Sequence, residues 1–232
     1  MITFSKEYLD DILDRIAHHS SAIEGNTISL ADTISIILYE TIPGKANKRE
    51  FYEVENHKGA FEFLLECLAD NREIDIHIIC SLHQKLTDRL QYDSGQFKKH
   101  ENAILGADFE TASPQQVPTL MFQWAKNLNY RLNLEGGEIE KIEAIVEAYI
   151  QFEKIHPFSD GNGRTGRILM LYSFLKMGMP PLIIDKKNKA DYIRYLSEEN
   201  LKGFTHLAYE IIEMERSRSI RFGNKCIAQM EE

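Results

Sequence analysis

The chain has 232 residues, of which 43% are hydrophobic and 27% charged, with a formal net charge of −9. This length suits one large domain or a domain with an extension, and the composition is that of an ordinary globular protein. The acidic balance argues against general binding to nucleic acid or to anionic membranes. Cys67, Cys80 and Cys226 lack paired or metal-like spacing, which indicates reduced thiols and a cytoplasmic location. We expect neither a signal peptide nor a membrane span.

Apolar residues recur with helical spacing along most of the chain. Gly25-Asn26 would end the first helix, Ser29 would begin the second, and Pro43 would end it. The predicted helices cover residues 5–23, 29–42, 49–68, 75–90, 114–132, 138–155, 168–177, 188–201 and 204–222. Residues 92–110 break this pattern and suit a short β-hairpin. The predicted fold is therefore all-α, a helical bundle with one small hairpin.

The segment from His156 to Arg167 reads His-Pro-Phe-Ser-Asp-Gly-Asn-Gly-Arg-Thr-Gly-Arg and lies between two predicted helices. We expect it to be a loop that leads into a helix N-terminus, where glycines and unpaired N–H groups favour a phosphate. Arg164 and Arg167 are three residues apart and would share one helix face. Asp160 is a hard oxygen ligand suited to Mg²⁺, and His156 can accept a proton near neutral pH.

This segment is neither a Walker loop nor a dinucleotide-binding fingerprint. At every fixed position it resembles the motif of the Fic family, His-x-Phe-x-Asp/Glu-Gly-Asn-Gly-Arg-x-x-Arg. The resemblance implies a helical fold with a hairpin flap. It also implies a protein adenylyltransferase, an enzyme that moves AMP from ATP to a Ser, Thr or Tyr hydroxyl of a target protein with Mg²⁺ as cofactor. Self-modification is compatible with this activity, and the sequence leaves a homo-oligomer open.

The resemblance also implies a role for each motif residue. His156 would be the general base, Phe158 would anchor the loop in the core, and Asp160 would hold Mg²⁺. The other expected roles are an anion hole at Gly161, Asn162 and Gly163, and binding of the β- and γ-phosphates by Arg164 and Arg167.

Weaker similarities lie outside the motif. Gly95-Gln96-Phe97-Lys98 resembles the stretch before the family's flap, with Lys98 in place of the usual Arg. The flap, which in the family pairs with the target's backbone, would comprise Asn102, Ala103, Ile104, Leu105 and Gly106. Leu196 and Asn200 match positions beside the adenine, although Leu196 is equally consistent with an ordinary core residue. Ile193 stands where relatives often have a second Tyr.

The N-terminal helix ends in a second informative stretch. Glu24 places a carboxylate near a helix C-terminus, which costs about 0.3–1 kcal/mol unless a cation offsets it. Ser20, Glu24 and Gly25 match the family's inhibitory motif, Ser/Thr-x-x-x-Glu-Gly/Asn, which implies that Glu24 pairs with Arg167 and obstructs ATP. We therefore expect residues 1–28 to form an inhibitory helix with its turn, and residues 29–232 to form the catalytic core with flanking helices.

Two other functions stay open at this point. The first is the reverse enzyme, a phosphodiesterase that removes AMP from a target, with Glu24 orienting water. The second is a non-enzymatic module that binds a nucleotide or acts as a toxin-like regulator. The presence of His156 argues against the second, because nucleotide binding alone needs no base.

Overall fold

The computed structural model describes residues 4–44, 46–102 and 110–223. Within these ranges the chain forms nine α-helices and one 3₁₀ turn, Lys186–Asn188. The helices are α1 (Lys6–Ile23), α2 (Leu30–Tyr39), α3 (Lys48–Ala69), α4 (Ile76–Leu86), α5 (Val117–Asn133), α6 (Glu138–Ile155), α7 (Asn162–Lys176), α8 (Lys189–Ser197) and α9 (Leu201–Arg221). The described residues form no β-strand, which confirms the helical part of the prediction, but the hairpin expected at residues 92–110 is not seen in its described residues, 92–102 and 110. The expected flap residues Ala103–Gly106 lie outside the described part of the chain.

Side-chain caps fix several helix starts where the sequence predicts them. Ser29 Oγ accepts a hydrogen bond from Asp32 N, and Asp75 caps α4 by accepting one from Ile78 N. The bounds of α6 match the prediction. α4 ends at Leu86 instead of Leu90, because Thr87 is its C-cap and the Thr87 hydroxyl bonds to the His83 carbonyl at 2.7 Å.

The centre of the molecule is α7, whose residues 164–175 are all buried. A helix that is surrounded on all sides needs apolar residues around its whole circumference, and the run Ile168–Leu175 supplies them. α1, α3, α4 and α6 pack around it. The first turn of α7 is polar, so polar residues lie in the middle of the bundle.

The N-terminal helix is an integral part of this bundle. α1 packs on α2, α3 and α7. It is also bound to α9 by a buried cluster, in which Glu215 accepts hydrogen bonds from Tyr8 at 2.7 Å and from both terminal nitrogens of Arg15 at 2.8 and 2.6 Å. The C-terminal end of α1 is thereby held against α7. No helix within the described ranges is both long and apolar enough to cross a bilayer.

Candidate active site

The motif His156–Arg167 is divided between a short loop and the first turns of α7. α6 ends at His156, which adopts the left-handed conformation (φ 49°, ψ 61°) as the helix C-cap. α7 begins at Asn162. The expectation that the whole motif forms a loop was therefore wrong, because the helix starts inside the motif and only residues 157–161 connect the two helices. Gly163 and Gly166 lie in the first turns of α7, where close packing against Glu24 and Tyr149 leaves no room for a side chain.

Phe158 and His83 hold the loop in place. Phe158 is fully buried, as expected, and its ring stacks on the His83 imidazole with centroids 3.7 Å apart and planes 2° from parallel. His83 Nδ1 accepts a hydrogen bond from Gly95 N at 2.8 Å, so Nε2 is free to donate to the Asp160 carbonyl 3.0 Å away. Burial lowers the pKa of His83 to about 4, which keeps the ring neutral. His83 therefore holds the motif loop against α4.

Gly161 and Asn162 shape the end of the loop. Gly161 has φ +80°, and a Cβ added there would lie 2.8 Å from the Thr87 side chain, so both conformation and space require glycine. The Asn162 amide accepts from Phe158 N at 2.9 Å and donates to the Phe158 carbonyl at 2.8 Å. These two bonds fold the loop back onto the start of α7, whose first N–H groups have no acceptor within the helix.

Two buried guanidinium groups flank the N-terminus of α7. Arg164 is 3% exposed and Arg167 is 2% exposed. Arg164 lies 3.7 Å from Asp160 Oδ1, its nearest acidic partner among the described residues. Arg167 donates through Nε to Ser20 Oγ at 3.0 Å and through Nη2 to the Ser20 carbonyl at 3.0 Å. These charges and the helix dipole give the site a positive potential suited to phosphate.

Glu24 already places a carboxylate in this positive environment. Its Oε1 accepts a hydrogen bond from Arg167 Nη2 at 2.6 Å, and a Cβ added to Gly163 would lie only 2.3 Å from the same oxygen. Burial would raise the pKa of Glu24, but the charge and hydrogen bond of Arg167 outweigh it, so the pKa is lowered and the group is ionised. Glu24 thus lies directly over the first turn of α7, at the position expected for an anionic ligand.

His156 is neutral in this environment. Burial lowers its pKa to about 4, and the positive charge of Lys98 adds to this effect. A neutral imidazole is the form that can accept a proton from an incoming hydroxyl. The Lys98 ammonium is itself buried and binds Asn102 Oδ1 at 2.6 Å and Thr111 Oγ1 at 2.9 Å. The Arg-to-Lys departure therefore leaves a cation near the base, bound to Asn102 and Thr111.

Asp160 faces cations on two sides. Its Oδ1 accepts a hydrogen bond from Gly161 N at 2.6 Å, and its Oδ2 accepts one from Arg49 Nη2 at 2.9 Å. Burial would raise the pKa of Asp160, but Arg164, the Gly161 N–H and Arg49 together lower it. Among the described residues no group of three acidic, His or Cys side chains could hold a metal ion on its own. One ionised carboxylate fits Mg²⁺ only when phosphate oxygens and water complete its shell, which is the usual arrangement for Mg²⁺ at nucleotides.

A family model described as Fic/DOC matches residues 73–174, a segment that runs from the start of α4 to the end of α7 and contains the whole motif. Over this segment the chain is similar to the Fic family. A curated relative from Drosophila persimilis, named protein adenylyltransferase Fic, is 29% identical over 184 residues, which cover 79% of this chain and 35% of that protein. This chain thus spans about a third of the length of the Fic protein it matches.

Two solved structures share the Fic fold over almost the whole chain. A Fic domain containing signaling protein from Bacteroides thetaiotaomicron aligns with a TM-score of 0.82 at 22% identity, and covers 98% of this chain and 92% of that one. Fic-1 from C. elegans aligns with a TM-score of 0.79 at 26% identity, and covers 95% of this chain and 67% of that one. Both alignments extend beyond the matched segment, so the helices on either side of it belong to a shared architecture.

The structure describes only some of the residues expected near the adenine and in the flap. Leu196 is half-buried against the hydrophobic core, and the Asn200 side chain caps α9 by accepting from Gly203 N at 2.9 Å. Ile193 is 45% exposed. Asn102, the first of the expected flap residues, donates to the Phe158 carbonyl at 2.8 Å and so contacts the motif loop. The flap residues that follow lie outside the described ranges.

Five side chains around the motif are not indicated by the sequence. Tyr192 accepts a hydrogen bond from Arg167 Nη1 at 3.1 Å and pairs with the Tyr149 hydroxyl. Glu153 lies beside this pair, and burial raises its pKa to about 7. His83 and Arg49 contact Asp160 from α4 and α3. The spacing of these residues carries no signal, because each reaches the motif only through tertiary packing.

Proposed function

We propose that this chain transfers AMP from ATP to a Ser, Thr or Tyr hydroxyl of a target protein, and that Glu24 restrains the transfer. The name of the Drosophila relative supports the reaction type. The observation that carries the proposal is the combination of a neutral, half-buried His156 at the end of α6 with two buried arginines in the first turns of α7. A structural helix cap requires neither a neutral base nor two buried cations at its side.

The triphosphate of ATP would lie across the N-terminus of α7. The space over Gly163 that the Glu24 carboxylate fills is large enough for a phosphate oxygen and faces Arg167. Arg164 and Arg167 would bind the β- and γ-phosphates, and the N–H groups at Gly161, Asn162 and Gly163 would bind the α-phosphate. Asp160 would hold Mg²⁺ together with phosphate oxygens, and the ion would neutralise charge on the departing pyrophosphate.

The transfer itself is a substitution at the α-phosphorus. The target hydroxyl oxygen forms a bond to this phosphorus while the bond to the bridging oxygen breaks, so that pyrophosphate leaves with the bonding electrons. His156 accepts the hydroxyl proton, for which its neutral state prepares it. Arg164 and Arg167 stabilise the negative charge that accumulates on pyrophosphate. The protein therefore contributes mainly position and electrostatic stabilisation.

Glu24 opposes this arrangement because it competes with the triphosphate for Arg167. Ser20 supports the competition, since its hydroxyl and carbonyl fix the guanidinium in the orientation that meets Glu24. A phosphate that approaches Arg167 must either displace Glu24 or bind beside it, where repulsion between the two anions distorts the α-phosphate position.

Incubation of the purified chain with α-labelled ATP, Mg²⁺ and cell lysate tests the proposed activity. We expect labelled protein bands, more intense with Glu24→Gly than with the unaltered chain, and none above background with His156→Ala. A time course with a target that already carries AMP separates the forward from the reverse reaction. Loss of label from that target without added pyrophosphate, combined with no labelling of fresh lysate, would favour the phosphodiesterase instead.

A further inference from the structure

The carboxylate expected to hold Mg²⁺ is paired with a cation from a distant helix. Arg49, in the first turn of α3, reaches Asp160 Oδ2 with its Nη2 at 2.9 Å. The Nε of the same guanidinium donates to Glu53 Oε1 at 3.0 Å, one helical turn further along α3. Arg49 is thus held between two carboxylates, and its position is defined at both ends.

Both oxygens of Asp160 are engaged in this arrangement. Oδ1 accepts from Gly161 N and faces Arg164, while Oδ2 accepts from Arg49. A divalent cation binds a carboxylate through an oxygen lone pair at about 2.0–2.6 Å. A guanidinium on the same oxygen occupies that place and repels a second positive charge. A cation can therefore bind Asp160 fully only after Arg49 has moved.

Glu53 can keep its hydrogen bond to the Arg49 guanidinium after Arg49 has left Asp160. Glu53 is 8% exposed, and its other oxygen accepts a hydrogen bond from Asn26 Nδ2 at 3.0 Å. Asn26 also binds the Glu50 carbonyl at 2.9 Å, so Glu53 belongs to a fixed polar cluster. Arg49 can leave Asp160 without losing its bond to Glu53, which keeps a buried carboxylate paired during the exchange.

We propose that Arg49 is a positioning residue that competes with the divalent cation for Asp160. It holds the carboxylate when no nucleotide is bound and releases it when a nucleotide–cation complex arrives. This inference rests on the proposed function, because it assumes that Asp160 holds the cation of that reaction. Its consequence is that the chain binds a cation-loaded nucleotide more weakly than the Asp160 carboxylate alone would allow.

The exposure of the pair sets the size of the effect. The side chains of Arg49 and Asp160 are 59% and 53% exposed. Exposed ion pairs contribute little to stability, so removing Arg49 should strengthen cation-dependent binding by about two- to fivefold. Removal of any arginine also lowers the positive charge of the protein, which by itself strengthens cation binding. A second, unrelated arginine therefore serves as the control. Arg89 suits this purpose because it is 62% exposed and pairs only with Asp88 among the acidic groups of the described residues.

The test measures the dissociation constant of a non-hydrolysable ATP analogue by isothermal titration calorimetry, in MgCl₂ and in EDTA. All proteins carry Glu24→Gly, so that Glu24 does not oppose the phosphates. We expect the ratio of the constants in EDTA and MgCl₂ to rise about two- to fivefold with Arg49→Gln. Arg89→Gln should leave this ratio unchanged, and Arg49→Lys should lie between, since one ammonium cannot bridge both carboxylates. Melting curves confirm that each variant is folded.

Each of the other outcomes overturns the inference. Equal weakening in both buffers would show that Arg49 binds phosphate directly. Unchanged constants in both buffers would show that its contact with Asp160 does not compete with the cation, and an equal gain with Arg89→Gln would reduce the effect to net charge. If the parent protein binds the analogue in neither buffer, the proposed function itself fails. That result is distinct from normal binding that is indifferent to Arg49.

Discussion

Replacement of Glu24 by glycine is the perturbation that the site geometry makes most informative. The Glu24 carboxylate meets Arg167 at 2.6 Å and lies over Gly163, where a phosphate is expected. The substitution removes the competing anion and leaves the arginine bonded to Ser20 and Tyr192. The phosphate arginine therefore stays in position, and only its acidic partner is lost. Faster AMP transfer should follow.

The magnitude depends on how much of the contact a nucleotide must replace. The Arg167 side chain is 3% exposed and that of Glu24 is 41% exposed, so one partner is buried and the other is still solvated. A hydrogen bond to a charged group contributes about 1.5–3 kcal/mol. If the nucleotide must break this one bond to bind productively, the rate should rise by about 10- to 150-fold when Glu24 is removed.

The assay is transfer from α-labelled ATP at fixed Mg²⁺, with self-modification and lysate proteins as acceptors. Because glycine weakens a helix by about 1 kcal/mol, Glu24→Ala and Glu24→Gln belong in the same series. Glu7→Ala, on the exposed face of α1, controls for the loss of one acidic residue from the same helix. The gain should disappear in Glu24→Gly combined with Arg167→Ala. Equal transfer rates for the unaltered chain and all three Glu24 variants, at both subsaturating and saturating ATP, would refute inhibition by Glu24.

Three further predictions concern individual groups of the site, and all are measured in the Glu24→Gly background. His156→Ala should lower the transfer rate by about 10²–10⁴ through loss of the base while analogue affinity stays the same, and near-normal labelling would exclude His156 as the base. Asp160→Ala should weaken analogue binding in MgCl₂ but not in EDTA, because the carboxylate acts through the cation; equal weakening in both buffers would indicate a folding role instead. Lys98→Met should move the acid limb of the pH profile of kcat/KM to higher pH, because Lys98 contributes to lowering the His156 pKa, whereas the exposed neighbour variant Lys99→Met should leave it in place. A limb that moves equally in both Lys variants would assign the shift to net charge.

The sequence predicts the helices well where local chemistry decides them. Ser29 caps the start of α2 as expected, α4 begins directly after Asp75, and α6 runs from Glu138 to Ile155 as its periodicity indicates. The start of α7 was placed too late. The motif's three glycines are typical of a loop, but those at 163 and 166 are required by close packing inside a helix, against Glu24 and Tyr149.

The residue types of the motif indicate its chemistry. They do not indicate which other side chains hold the motif in place. A histidine, an aspartate and two arginines around glycines predict a phosphate site without any structure. The sequence analysis also expected Glu24 to pair with Arg167, and the two side chains are in contact. The sequence does not single out His83, because its stacking on Phe158 depends on how α4 packs against the motif loop. Arg49 escaped notice for the same reason, since its partner lies far along the chain.

Transfer of AMP by this chain is the central claim, and a paired labelling experiment tests it most directly. The Glu24→Gly variant is incubated with ATP labelled at the α-phosphate or at the γ-phosphate, with Mg²⁺ and lysate, and His156→Ala in the same background serves as the inactive control. We predict protein-bound label from the α-labelled nucleotide only, absent in the control. Protein-bound label from the γ-phosphate only would identify a phosphotransferase and contradict the claim, as would the absence of label from both nucleotides.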